Sequence, residues 1–201
     1  MILFFDVETN GLAKSQKATY KDIEHWPRVV QLAWALCEDN GENCTRKNFI
    51  IFPKDFGISE KMSSIHGITI ERAEKEGVLI NKVLGMFNID LDNANLIVAH
   101  NIEFDLPVLN AEFIRNKIKT PLLDKEKYCT MKSPEIVAYC KIPNSIGTGF
   151  KWPSLSELHN MVVKKSFEDS HNAAADVEAC LKCYFELKKN KIIKNPDRIE
   201  I

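Results

Sequence analysis

The chain has 201 residues, of which 45% are hydrophobic and 27% charged, values that are typical of one globular α/β domain and exclude a disordered chain. The formal net charge of −1 gives no global sign of a nucleic-acid binder, although a basic surface can be confined to one groove. No apolar run approaches the roughly 20 residues that span a bilayer, and residues 1–6 lack a basic segment and a cleavage site. We therefore expect a cytoplasmic protein without a membrane partner, whose six cysteines are reduced thiols.

The first half of the chain predicts an antiparallel three-strand meander. Residues 2–8, 29–36 and 49–52 are apolar runs of strand length, and Asp39-Asn40-Gly41 supplies a turn before the third. Helices are expected next, over residues 69–76 and 80–87.

The second half alternates short strands with helices. Strands are expected at residues 96–99 and 128–131, and helices at residues 103–117, 134–140 and 172–189. Pro107 is compatible with its helix only in the first turn. Ser154 and Glu157 form a capping box that opens one more helix, and residues 143–153 are predicted to be an irregular loop. The pattern predicts one α/β domain over residues 1–201, a mixed sheet flanked by helices with ligands at the strand ends.

Four acidic residues interrupt or follow apolar elements. Asp6 and Glu8 lie in the first strand and share a face, Asp105 follows the strand at 96–99, and Asp176 lies in the apolar stripe of the last helix. Carboxylates at the edge of a core are costly unless a cation accompanies them, and no basic residue lies beside these acids in sequence. Oxygen ligands of this kind favour Mg2+ or Mn2+, and His171, five positions before Asp176, is a candidate general base.

These residues occur in three segments that resemble the DEDDh branch of the DnaQ-like 3′–5′ exonuclease superfamily. The segments are Phe5-Asp6-Val7-Glu8-Thr9-Asn10-Gly11-Leu12, Val98-Ala99-His100-Asn101-Ile102-Glu103-Phe104-Asp105 and His171-Asn172-Ala173-Ala174-Ala175-Asp176-Val177. Two connecting segments also fit, Ile65-His66-Gly67-Ile68-Thr69 and Trp152-Pro153-Ser154-Leu155-Ser156-Glu157-Leu158. The resemblance covers residues 2 to 188 and is greatest to the proofreading exonuclease domains of the epsilon type in DNA polymerase III.

The resemblance implies an RNase H-like fold and a metal-dependent hydrolase. Asp6, Glu8, Asp105 and Asp176 would hold two Mg2+ or Mn2+ ions, and His171 would act as the general base. The implied contacts to the 3′-terminal nucleotide are Thr9, Asn10, Gly11, Leu12, Ile65, His66, Asn101 and Phe104. The implied reaction hydrolyses the terminal phosphodiester of single-stranded nucleic acid, with DNA proofreading or repair as the first choice, and releases nucleoside 5′-monophosphates.

Alternatives remain open for substrate and partner. An exoribonuclease of the RNase T or oligoribonuclease type is the second choice, because the motif set is most similar to the epsilon-type proofreading domains. Nothing in the motifs reads a 2′-hydroxyl group unambiguously. A catalytically idle nucleic-acid-binding module is disfavoured, since a pure binder gains nothing from anions beside phosphates. A polymerase subunit is an open partner, although the short stretch at residues 190–201 favours a free-standing enzyme.

The remaining polar and aromatic residues are given ordinary roles. We expect His100 to hydrogen-bond locally, and we expect His25 and His159 on the surface and Trp34 and Trp152 in the core. Residues 13–27, which include Lys14, Lys17 and Lys21, are predicted to be a solvated loop, with a cover over the substrate as the alternative. Leu12 and Ile65 are expected either to pack against terminal bases or to join the core.

Overall fold

Five strands form one mixed sheet in the computed structural model, which describes residues 1–15, 18–167 and 171–193. The strands are β1 (Ile2–Thr9), β2 (Val29–Cys37), β3 (Thr45–Ile50), β4 (Leu96–Ala99) and β5 (Glu126–Cys129), in the spatial order β3-β2-β1-β4-β5. The first three pair antiparallel, and β4 and β5 continue the sheet in parallel with β1. The predicted meander and mixed sheet are confirmed.

Helices cover both faces of this sheet. They are α1 (Glu60–His66), α2 (Ile70–Glu76), α3 (Ile80–Asp92), α4 (Ile102–Arg115), α5 (Pro134–Cys140), α6 (Leu155–Val163) and α7 (Ala173–Lys189), with short 3-10 turns at Ile23–His25 and Leu122–Asp124. The sequence did not predict α1, because its seven residues bury only Met62 and His66. The capping box at Ser154 and Glu157 is present. Among the described helices, none has the length and apolar character needed to cross a bilayer.

The alternation of β1 divides the core into two layers. Leu3, Phe5 and Val7 pack toward the layer that contains α3 and α4, whereas Ile2 and Phe4 pack toward the layer that contains α7. Residues two apart in a strand share a face, so Asp6 and Glu8 point to the α7 side. The parallel strands β1 and β4 end at the same edge of the sheet, which gathers the acidic motifs there.

Several expected bounds are wrong. Strand β5 is Glu126–Cys129 and not residues 128–131, and α3 extends to Asp92 and does not end at residue 87. The third strand is Thr45–Ile50 and not residues 49–52, because β3 is an edge strand whose polar residues hide it from a search for apolar runs. Pro107 lies in the second turn of α4, beyond the position expected for it. The hydrogen bond that it removes would have ended on Glu103, an exposed residue whose carbonyl can bind water instead.

Within the described residues of the segment 13–27, Lys14 and residues 19–22 are exposed, as expected for a solvated loop, but the backbone is also tied to α4. The Arg115 guanidinium donates to the carbonyls of Ile23, Trp26 and Pro27, and Asn110 Nδ2 donates to the carbonyl of Tyr20 at 3.2 Å. These donors come from distant residues, so local sequence gave no sign of them. Lys17 of this segment lies outside the described residues.

Three further residue expectations are also wrong, and two are confirmed. Trp152 is 55% exposed, whereas His159 is buried beside the Phe167 ring. Cys37 and Cys44 form a disulfide, because the pairing of Leu36 with Thr45 makes them the next opposed pair of the β2–β3 hairpin. Trp34 is a core residue and His25 is exposed, as expected.

Candidate active site

The first two acids occupy the end of the central strand. Asp6 and Glu8 lie on the α7 face of β1, and a bulge between Glu8 and Thr9 shifts the pairing with β2 directly after them. Glu8 is only 9% exposed, so its side chain lies largely among protein groups and not in bulk water. The strand thus presents two carboxylates, separated by Val7, at the edge where β4 also ends.

The other two acids lie in the first turns of helices. Asp105 is in the first turn of α4, and its Oδ1 accepts a hydrogen bond from the backbone N–H of Val7 at 3.2 Å. Asp176 is in the first turn of α7, and its Oδ2 accepts from the backbone N–H of His171 at 3.2 Å. Negative charge is favoured at helix N-termini, so the helix dipoles partly offset the burial of these two carboxylates.

Three of the four acids converge closely enough to share a metal ion. One carboxylate oxygen each from Asp6, Glu8 and Asp176 lie within 4.8 Å of one another. Asp105 lies beside this group, as its electrostatic effect on Asp6 indicates. Among residues 1–15, 18–167 and 171–193, no ion pair includes any of the four. The cluster is therefore an uncompensated group of carboxylates.

Burial, together with repulsion between the carboxylates, shifts the acids toward their protonated forms. Burial, and then repulsion from Asp176, raise the pKa of Glu8 to about 7. Burial raises the pKa of Asp105 to about 8 against the opposing effect of the Val7 N–H, and burial raises the pKa of Asp176 to about 6. The pKa of Asp6 is raised well above its usual value by burial and by repulsion from Asp105, Asp176 and Glu8. A divalent cation would remove the repulsion, and hard oxygen donors are the ligands that Mg2+ and Mn2+ prefer.

A cavity of about 600 Å³ opens onto the four carboxylates. Its wall also includes His171, Asn101 and Phe104, three of the residues that the sequence nominated. A hollow of about 670 Å³ lies elsewhere, between the β2–β3 turn and α7, but no cluster of acids lines it. Chemistry and not size therefore marks the smaller cavity as the candidate site.

His171 is exposed at the mouth of this cavity. Its backbone has a φ of 69°, a left-handed conformation that non-glycine residues adopt rarely. The hydrogen bond from the His171 N–H to Asp176 stabilises this conformation. His171 therefore positions the Asp176 carboxylate with its backbone and carries its imidazole at the cavity mouth. Glu168, Asp169 and Ser170, the polar stretch that precedes His171 in the sequence, lie outside the described residues.

The remaining nominated residues lie outside the cavity wall. Thr9 is buried and its hydroxyl donates to the carbonyl of Gly11 at 2.7 Å. Asn10 makes two hydrogen bonds with the backbone of Arg28, at 3.0 and 2.8 Å, and one to the Gly57 carbonyl at 3.1 Å. The Asn10 side chain therefore holds the motif turn in place.

Leu12 and Ile65 are 74% and 42% exposed, which excludes the core packing that was their alternative. His66 is buried, with Nδ1 accepting from the Ile68 N–H at 3.1 Å, while Nε2 faces the Thr9 backbone without a hydrogen bond of good geometry.

Two site residues were misjudged or missed from the sequence. His100 lines the cavity, but its ring bonds Thr130 Oγ1 at 3.0 Å and the Pro153 carbonyl at 3.2 Å, both distant in sequence. Burial lowers the pKa of His100 to about 4, so the ring is neutral and structural, although its bonds are not local. Gln31 accepts from the Ala173 N–H at 3.2 Å and thereby fixes the start of α7 on β2. A glutamine inside an apolar strand was the available signal.

Comparison with known proteins identifies the family. The family model RNase_T, described as Exonuclease, matches residues 3–184. The chain belongs to this exonuclease family. It is also 27% identical over 203 residues to a DNA polymerase III of the PolC type from Latilactobacillus sakei, covering 99% of this chain and 12% of that protein.

Two solved structures support the RNase H-like fold of this family member. E. coli exonuclease I in complex with a dT13 oligonucleotide has a TM-score of 0.71 and 19% identity, over 94% of this chain and 41% of that one. Exonuclease X in complex with 5′ overhanging duplex DNA has a TM-score of 0.62 and 22% identity, over 94% of this chain and 92% of that one. The chain thus spans less than half of exonuclease I and a small part of the polymerase.

Proposed function

We propose that this chain is a metal-dependent 3′–5′ exonuclease that hydrolyses the terminal phosphodiester of single-stranded DNA and releases nucleoside 5′-monophosphates. The observation that carries the proposal is the convergence of Asp6, Glu8 and Asp176 within 4.8 Å, in a cavity that also contains Asp105 and His171. A cluster of anions repels a phosphodiester unless cations intervene, so the arrangement suits hydrolysis and not simple binding. Residues 1–201 would act as one catalytic domain.

The donor set fits two divalent ions. The four carboxylates lack a cationic partner within the described residues and have raised pKa values, so a bound Mg2+ or Mn2+ would stabilise their ionised forms. When bound, such a pair of ions stabilises the attacking and leaving oxygens of an in-line displacement. Asp6, Glu8 and Asp176 would be the shared ligands, and Asp105 would complete the set from the other face of the strand edge.

His171 would accept the proton of the attacking water. Its imidazole is exposed at the cavity mouth, and histidine is the side chain that most often serves as a general base. Asp176 accepts the backbone N–H of His171, so the base and the carboxylate move together. Asn101 and Phe104, which line the same cavity, would then position the terminal nucleotide.

The similar proteins favour DNA over RNA as the polymer. The exonuclease I structure holds a dT13 oligonucleotide, the exonuclease X structure holds duplex DNA, and the curated relative is a DNA polymerase. The last likeness also supports a polymerase as a working partner, which co-elution of the two purified proteins would test. The proposed preference for DNA therefore rests on these similar proteins, and comparison of the cleavage rates of DNA and RNA measures it.

The decisive experiment offers DNA and RNA of one sequence, labelled at the 5′ end, with Mg2+ or Mn2+. We expect faster shortening of DNA from the 3′ end, arrest at a blocked 3′ terminus and no effect of a blocked 5′ terminus. Chelator and the Asp6→Asn variant should each stop the reaction. Digestion of a closed circular strand would overturn the exonuclease assignment, and faster digestion of RNA would overturn the choice of polymer.

A further inference from the structure

Trp152 is an exposed tryptophan beside the proposed active site. It is 55% exposed, while the other two tryptophans, Trp26 and Trp34, are 9% and 1% exposed. An aromatic side chain of this size contributes most to stability when buried, so its exposure needs a reason other than folding. Phe150, two residues earlier, is also 48% exposed.

The backbone around Trp152 is fixed despite this exposure. His100 Nε2 donates to the carbonyl of Pro153 at 3.2 Å, and the N–H of Lys151 donates to the carbonyl of Ile142 at 2.9 Å. A β-bridge between Pro143 and Phe150 closes the preceding loop. The ring is therefore presented by a held segment, which reduces the entropy that a ligand would have to remove.

A lysine covers one side of the ring. Lys132 Nζ lies 4.5 Å from the ring centroid of Trp152 and is ion-paired with Glu103. Lys132, Glu103 and Trp152 each lie next to the wall of the acid cavity. Their neighbours in that wall are Met131, Phe104 and Ser154, respectively. The cation and the indole thus form a rim feature of the cavity, which we name the Trp152–Lys132 rim.

The rim combines the two groups that bind a single strand without reading its sequence. Nucleobases stack on exposed aromatic rings, and an ammonium group pairs with the backbone phosphate. The cavity takes the 3′-terminal nucleotide in the proposed function, so the rest of the same strand has to cross the cavity rim. A complementary strand does not have to cross the cavity rim, because its end does not enter the cavity.

We propose that the Trp152–Lys132 rim binds an unpaired nucleotide of the substrate strand on the 5′ side of the scissile phosphodiester, beyond the nucleotide that directly adjoins this bond, so that a dinucleotide does not reach the rim. The proposal rests on the proposed function, since it assumes that the 3′ end enters the acid cavity. The base stacks on the indole face that Lys132 leaves open, and Lys132 neutralises a phosphate that would otherwise approach four carboxylates. The rim therefore sets affinity for longer strands and leaves the chemical step alone.

Intrinsic fluorescence gives a direct test, because Trp152 is by far the most exposed of the three indoles. Cleavage-deficient Asp6→Asn protein is titrated with oligothymidylates of two to ten nucleotides, and binding is followed in parallel by anisotropy of labelled DNA. We expect quenching by strands long enough to reach the rim and none by the dinucleotide. Binding of a ten-nucleotide strand without any quenching would overturn the proposal.

Kinetics on otherwise wild-type protein give the second test. Stacking of one base corresponds to about 5- to 150-fold in affinity, so Trp152→Ala should raise KM for a ten-nucleotide strand by that order with kcat unchanged. Cleavage of a dinucleotide should be unaffected, and Trp152→Phe should restore most of the affinity. The matched control is Tyr20→Ala, which removes another exposed ring with a lysine, Lys21, 5.7 Å from its centroid.

The outcomes separate this inference from the proposed function. If wild-type protein cleaves single-stranded DNA and Trp152→Ala has a normal KM with every strand length, the rim assignment is wrong and the exonuclease assignment stands. If the defect appears only with a 3′-recessed duplex, the rim holds the complementary strand, which also contradicts the proposal. If wild-type protein cleaves no single strand, both are wrong.

Discussion

The backbone N–H of Val7 donates a hydrogen bond to Asp105 Oδ1 at 3.2 Å, across 98 positions of sequence. Val7 stands between Asp6 and Glu8 in β1, and its side chain packs in the core layer that includes Ile102 and Leu106 of α4. The bond therefore joins two acidic motifs through the backbone of the strand that carries one of them. Displacement of α4 would move Asp105 relative to Asp6 and Glu8, so packing under the site controls the spacing of the acids.

Replacement of single acids should separate chemistry from folding. We expect Asp6→Asn and Asp176→Asn to abolish nuclease activity, because each removes a proposed metal ligand, while the apo protein becomes more stable as repulsion among the carboxylates falls. Nuclease assays and urea unfolding measure the two effects. The control is Asp92→Asn on exposed α3 surface, which should change neither. Full activity of the two acid variants would contradict the ligand assignment.

The raised pKa values predict an unusual pH dependence of stability without metal. The pKa values of Asp176, Glu8 and Asp105 are about 6, 7 and 8 in the folded chain, against about 4 for unfolded carboxylates. The folded chain therefore holds more protons than the unfolded chain between these values, and the free energy of unfolding should fall as pH rises from 5 to 8.

Urea unfolding in chelator at several pH values measures this dependence. Mg2+ or Mn2+ at pH 8 should restore the lost stability, and Asp6→Asn should flatten the profile in chelator. A wild-type profile that rises with pH between 5 and 8 would show that the acids are not crowded in the apo protein.

The sequence predicted the acidic cluster better than its surroundings. Alternation in β1 sufficed to place Asp6 and Glu8 on one face, and their apolar context showed that they were at the edge of a core. Arg115 donates to backbone carbonyls far along the chain, so no local pattern could reveal its role. Gln31 was detectable only as a glutamine inside an apolar strand, and its partner Ala173 lies 142 positions away. Trp152 was assigned to the core by composition alone, because exposure of an aromatic residue depends on which segments happen to cover it.

His171 should act on turnover and not on metal binding. General bases contribute about 10²- to 10⁴-fold to rate, so His171→Ala should lower kcat by that order. The hydrogen bond to Asp176 comes from the His171 backbone and survives the substitution, so the metal concentration for half-maximal activity should change little. His25→Ala, at another exposed histidine, is the control. Near-normal turnover of His171→Ala at saturating DNA would remove the residue from the mechanism.

Glu112 should be a stability residue behind the motif turn. It is buried between Arg28 and Arg115, at 2.7 and 3.0 Å, and Arg115 in turn holds the carbonyls of residues 23–27. Removal of one partner from a buried ion pair costs about 3–5 kcal/mol, so Glu112→Ala should lower the free energy of unfolding by that order. Glu74→Ala on the exposed face of α2 should have almost no effect. Equal stability of the two variants in urea would contradict this role.

Leu12 and Ile65 should discriminate frayed from paired 3′ ends. Both are exposed apolar residues, one after the first acidic motif and one beside the buried His66, where an unpaired terminal base can cover them. Burial of such a side chain contributes about 1.5–3 kcal/mol, so Leu12→Ala and Ile65→Ala should raise KM for single strands by about 10- to 150-fold. A paired end has to unpair before it reaches these residues, which costs free energy that a mismatched end does not spend. Wild-type protein should consequently digest single strands and mismatched ends faster than blunt duplex ends, and the two variants should narrow that difference.

The matched control for Leu12 and Ile65 is Ile89→Ala, at an apolar residue of α3 that is 64% exposed. Loss of discrimination in the control, or its full retention in both variants, would place the recognition of the terminal base elsewhere in the cavity.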